Sequence, residues 1–159
     1  FFFPAYAGGA LARLAPIPVF AALARYGREA GLAFAGALAV HLAMVLWLFV
    51  VAEETPVGDT VIATFGVGAL WAYALALFSL PRFGAVFASR AGRAFRSLGM
   101  DYIAALFFYD FVVLPLEFGV SHPLRYAPFT LLILAGPLVR LAAWLRRNPG
   151  ITRYSPRPR

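Results

Sequence analysis

Two polar residues lie where their chemistry is expensive: His41, inside the apolar run from Arg28 to Val51, and Asp110, inside the run that begins near Leu98. An ionisable group within a membrane-crossing stretch needs a partner or a ligand, and a carboxylate there costs about 2.5–3.5 kcal/mol on insertion scales. His41 lies as far past Glu29 as Asp110 lies past Leu98. On two helices running the same way, each rising about 1.5 Å per residue, the side chains therefore reach nearly one depth. Pairing His41 with Asp110, or either with Tyr109, Tyr102 or Tyr73, offsets part of the cost. Chemically this is a proton-handling or quinone-contacting pair, and structurally a polar clasp between helices. The clasp is favoured, because no chain of further acidic residues leads from the pair to either surface.

Ala37 stands one turn before His41 and leaves room for a flat macrocycle whose metal the imidazole would ligate, an iron or magnesium tetrapyrrole. Gly31, Ala33, Ala35, Gly36, Ala39 and Ala43 belong to the same stretch. The commoner meaning of such a stretch is close packing of a neighbouring helix, to which His41 hydrogen-bonds. Met44, Met100 and His122 are poor second ligands, the last being expected several residues above the level of His41.

The elements that must position these groups are membrane spans. About 20 apolar residues cross a hydrocarbon core of about 30 Å as a helix. With 62% hydrophobic and 13% charged residues in 159, a water-soluble fold would leave large apolar patches exposed. The expected class is all-α: a polytopic membrane protein with a four-helix bundle and an N-terminal interfacial segment. Residues 1–27 are interrupted by Pro4, Gly8, Gly9, Arg13, Pro16 and Pro18, which predicts a segment lying in the interface, with a short helix from Val19 to Tyr26. The alternative is that Phe1 to Ala7 ends a preceding span. The chain starts at Phe1 without methionine, and a processed or incomplete N-terminus is expected.

Residues 28–147 hold the four spans, expected at about Glu29–Val51, Thr60–Leu80, Leu98–Phe118 and Leu124–Leu145. The acidic turn from Glu53 to Asp59 separates the first two. Between the second and third, Arg82, Arg90, Arg93 and Arg96 recur with Phe87 and Phe95 among them, which predicts an amphipathic segment lying on an anionic leaflet. Arg146 and Arg147 close the last span, and residues 148–159 form a basic, proline-rich tail with no packed structure of its own. The 14 basic residues are all arginine, and every one but Arg125 falls on one side of the four-span arrangement. By the positive-inside rule both termini are expected to be cytoplasmic. The net charge of +7 then needs no nucleic acid, because the arginines flank spans.

The absence of cysteine excludes disulfides and thiol catalysis. No Walker loop, zinc spacing, nucleophile elbow or carboxylate pair occurs, so an enzyme is not expected.

Arg28-Glu29-Ala30-Gly31-Leu32-Ala33-Phe34 followed by His41, a second span ending Ala74-Leu75-Ala76-Leu77-Phe78-Ser79, and an arginine-rich loop leading through Phe95-Arg96-Ser97-Leu98 into a third span resemble the ferric-reductase-like transmembrane domain. The likeness is strongest to the haem-binding membrane subunit of bacterial methionine-sulfoxide reductase systems, and covers about Ala22 to Leu145. In that family the first of these spans carries one haem-ligating histidine and the later span two more. His41 matches the first, whereas Gly99 and Val112 stand where the others would be. The resemblance thus implies a degenerate member in a bacterial inner membrane, a non-catalytic accessory or scaffolding subunit associating with other membrane subunits and anionic lipids. Two alternatives stay open: a haem b- or quinone-binding electron-transfer subunit, and a chlorin-binding subunit through His41.

Overall fold

The computed structural model describes residues 1–52, 58–117 and 126–147, and all of their regular structure is helical. In chain order these are α1 (Phe2–Leu14), α2 (Pro18–Arg25), α3 (Gly27–Val51), α4 (Asp59–Phe78), a 3₁₀ turn (Pro81–Phe83), α5 (Gly84–Ala88), α6 (Arg90–Phe108), a π turn (Tyr109–Val113), α7 (Leu114–Glu117) and α8 (Ala127–Arg147). Four helices are long and apolar enough to cross a membrane: α3, α4, the continuous rod from Arg90 to Glu117, and α8.

Local chemistry sets the breaks. Pro18 opens α2 at a position where its missing N–H is not needed. At the end of α4 the Ser79 hydroxyl turns back to the Leu75 carbonyl at 2.6 Å, and Pro81 starts the next turn. Ser89 caps α6, its Oγ accepting from the Gly92 amide at 2.9 Å.

The spans alternate in direction. Arg28 Nε, at the start of α3, donates to the Ser79 carbonyl at the end of α4 at 2.8 Å. Tyr102 of α6 donates to the Thr64 carbonyl of α4 at 3.1 Å. Here the helices approach closely because two glycines make room: a Cβ on Gly68 would enter the Leu106 side chain, and one on Gly99 would press into the Trp71 ring. α8 returns antiparallel to α6, with Arg140 beside Asp101 and Thr130 beside Phe111.

The N-terminal segment holds a helix that its prolines and glycines did not lead us to expect. α1 packs against α3 and α8, with α2 folded back on it, and its Phe2 and Tyr6 reach Phe107 and Asp101 of α6. Phe2, Tyr6, Ala7 and Ala10 are buried, Ala7 completely at 0%. The Phe2 ring meets Phe34 at 5.6 Å and Phe107 at 5.2 Å, and Phe34 meets Phe107 at 5.8 Å, so three elements share one aromatic cluster. The expected breakers do not break the helix. Pro4 sits in the first turn, where no amide bond is lost, and Gly8 lets the Leu23 carbonyl come close enough to collide with a Cβ.

The arginine-rich connection also differs. Arg90, Arg93 and Arg96 are not on a segment separate from the third span; they occupy the first two turns of the same helix. With Ser89 as cap and no proline before Pro115, nothing ends the helix between the charged and apolar parts.

Candidate functional site

His41 and Ala37 lie on an exposed face of α3, together with Ala33, Gly36, Val40 and Met44. Only Gly27 and Ala35 of this helix are buried, so the small residues expected to receive a neighbouring helix mostly meet none among the described residues. A Cβ on Gly36 would meet nothing within 4 Å. Met44 is 67% exposed, one turn beyond the imidazole.

Asp110 is half-buried on the third span, and His41 lies within electrostatic range of its carboxyl. No hydrogen bond joins the two. The expected clasp does not close: Tyr102 donates to Thr64 instead, and Tyr109 and Tyr73 are exposed at 45% and 37%. α3 and α6 meet instead through the rings of Phe34 and Phe107, 5.8 Å apart.

Asp110 belongs to the π turn Tyr109–Val113, and the sequence accounts for that turn. A proline inside a helix has no amide to give the carbonyl four residues back, and its ring presses on that carbonyl. For Pro115 the carbonyl is that of Phe111. Widening to a π turn relieves the ring, with the Leu114 amide bonding to Tyr109, and the Thr130 hydroxyl of α8 donates to the Phe111 carbonyl at 3.0 Å. Asp110 is therefore displayed from a locally widened helix that a second span holds open.

A second polar cluster escaped the sequence reading. Asp101, on the face of α6 turned towards α1 and α8, accepts from the Tyr6 hydroxyl at 3.0 Å and from Ser97 Oγ at 3.2 Å, and forms an ion pair with Arg140 at 3.2 Å. Arg140 also donates to Ser97 at 2.8 Å and places its guanidinium 4.4 Å above the Tyr6 ring. Burial pushes the Tyr6 hydroxyl up to about 12, with the Asp101 hydrogen bond adding to the rise and Arg140 opposing it. The signal was present: Arg140 is charged within a span-length helix, and such a residue pairs with an acid. The cluster is a structural tie, with Gly136 admitting the Tyr6 ring where a Cβ would meet it at 3.0 Å.

Of the expected surface arginines, Arg82 stacks on Phe83 at 5.0 Å, Arg93 donates to the Ala88 carbonyl, and Arg146 donates to the Leu14 carbonyl at 2.8 Å. Arg90, Arg96 and Arg147 are exposed. Among the described residues no group of three His, Cys, Asp or Glu side chains converges to hold a metal. His122, the acidic residues Glu53 and Glu54, and the basic tail lie outside the described residues. The chain matches no family model, no curated protein and no solved structure.

Proposed function

We propose that this chain is a non-catalytic subunit of a larger bacterial membrane complex, built on a degenerate ferric-reductase-like domain, and that the His41 face of α3 is where another membrane subunit sits. The observation that carries the reading is the placement of His41. An imidazole in a span is kept where it is satisfied, yet here it lies on an exposed face whose neighbours Gly36 and Ala37 leave the backbone open to close approach. Only 6% of the most apolar window of α3 is buried within the chain, so the bundle itself does not cover this helix. The gathering of Arg13, Arg93, Arg96, Arg140 and Arg146 at one end of the helices supports the orientation with that end cytoplasmic.

One observation favours a second reading. The open flank beside His41 at Ala37 also suits the face of a haem or chlorin, with the second axial ligand, where one is needed, coming from a partner.

The test is native electrophoresis of the full chain extracted from its own membranes in mild detergent, with an absorption spectrum of the same band. The expected result is a complex well above the mass of the chain that is lost in Ala37→Trp and Met44→Trp but kept in Val61→Trp, an exposed position on α4. A band at the mass of the chain alone, unaffected by any of the three, refutes the subunit reading. A Soret or chlorin band that disappears in His41→Leu replaces it with the second.

A further inference from the structure

At the end of the bundle where Arg28 meets the end of α4, a cleft of about 350 Å³ opens between α1 and α6, with α8 at its side. Its cationic lining is Arg13 of α1, Arg93 and Arg96 of α6, and Arg140 of α8. Arg140 is already neutralised by Asp101. Among the described residues no carboxylate pairs with Arg13, Arg93 or Arg96, so three arginines from two helices line one space without a counter-charge, Arg93 donating as well to the Ala88 carbonyl. Such an arrangement costs repulsion when empty and gains charge-assisted hydrogen bonds when an anion enters.

Besides the arginines the wall carries Tyr6 and Ser97, whose hydroxyls are both engaged with Asp101, and the small or apolar Ala5, Gly9, Ala10 and Met100. Ala5, Met100 and Arg96 also line a second cavity of about 160 Å³ whose other walls include Phe2, Phe34, Leu75 and Ile103. A cationic mouth thus borders a largely apolar slot. The ligand this shape takes is an anion covalently joined to a hydrocarbon chain. Both features lie at the end of the four spans, the level at which lipid headgroups meet a membrane bundle.

We propose that the cleft is a site for one anionic phospholipid, its phosphate held by Arg13, Arg93 and Arg96 and an acyl chain passing over Met100 into the slot. The site depends on the four spans crossing a membrane and is independent of His41 and of the accessory-subunit reading.

The test is native mass spectrometry of the delipidated full chain in dodecyl maltoside, titrated with phosphatidylglycerol, phosphatidylcholine or inorganic phosphate. Phosphatidylglycerol should bind in preference to phosphatidylcholine, and inorganic phosphate in excess should not displace it. Arg13→Gln with Arg96→Gln should weaken the first phosphatidylglycerol bound by about thirtyfold, about fivefold for each charge removed near a membrane surface. Arg90→Gln with Arg147→Gln removes equal charge outside the cleft and should leave that affinity unchanged. Met100→Trp, which fills the slot without touching the charge, should weaken it as well. All variants should keep the helicity of the parent by circular dichroism, since Arg13 and Arg96 are exposed. Equal losses in the two arginine pairs would reduce the effect to general surface charge and overturn the site. Displacement by inorganic phosphate together with indifference to Met100→Trp would make it a free-anion site and overturn the lipid assignment.

Discussion

Thr130→Val isolates the bond by which α8 holds the widened part of the third span. Valine keeps the volume of threonine and removes the donor, leaving the Phe111 carbonyl without the 3.0 Å bond it has now. An unsatisfied buried carbonyl costs about 1–3 kcal/mol. In a membrane the unfolded reference also finds partners, and measured couplings between spans average about 0.6 and reach about 1.7 kcal/mol. The expected loss for Thr130→Val is therefore about 1 kcal/mol. The decisive comparison is the same replacement in a Pro115→Ala background. Alanine restores the amide that the α-helical pattern would aim at Phe111, so the carbonyl no longer needs the hydroxyl, and Thr130→Val should cost less than about 0.5 kcal/mol, as at an uninvolved site. The assay is reversible unfolding of the four proteins in dodecyl maltoside titrated with SDS, followed by circular dichroism, and the quantity read is the coupling of the cycle. If Thr130→Val costs the same with proline and with alanine at 115, the account of the π turn as a proline effect repaired by α8 is wrong.

Three further outcomes are expected. Because burial raises the Tyr6 hydroxyl to about 12, its contribution to stability is fully present below about pH 10 and is lost as pH rises through about 12; thermal unfolding in detergent should show this alkaline loss, and Tyr6→Phe should remove it. Gly99→Ala should destabilise the bundle by about 1–3 kcal/mol by overpacking against Trp71, whereas Gly36→Ala, which meets open space, should stay within about 0.5 kcal/mol of the parent; equal effects would deny the close approach of α4 and α6. Cysteines placed at Asp59 and Ser89, in a chain with none of its own, should label from opposite sides of the membrane, and labelling from one side sinks the four-span arrangement.

What could be read from residues alone follows from where the determining physics resides. Four helices long and apolar enough to cross a membrane were legible, because hydrocarbon thickness imposes a length and an apolar composition that a single stretch must satisfy by itself. The face presented by His41 was not. α3 is apolar all the way round, so no periodicity marks an inner side, and the equal spacing from Glu29 and Leu98 yields depth without direction. α1 was misjudged because prolines and glycines were weighed as breakers without regard to position, although Pro4 in a first turn breaks nothing. The tie of Asp101 to Tyr6 and Arg140 depends on α1 entering the bundle, and no local pattern announces a contact across 95 residues. The start of α6 was obscured by its arginines, which mark a surface segment and the first turns of a span equally well.

The placement of α1 also constrains how the protein comes into being. Tyr6 finds Asp101 across 95 positions and Arg146 reaches Leu14 across 132, so α1 waits for α6 and then for α8 before its contacts exist. Contacts of such separation must overcome loop closure before they contribute, which slows assembly and leaves early surfaces open to wrong neighbours. Until then Phe2, Tyr6 and the small face around Ala7 have nothing to pack against but α2 and the first span. α1 and α8 therefore mature as one event, and an interruption of synthesis before Arg140 leaves α1 without the helix that covers it, an exposed surface for quality control to recognise.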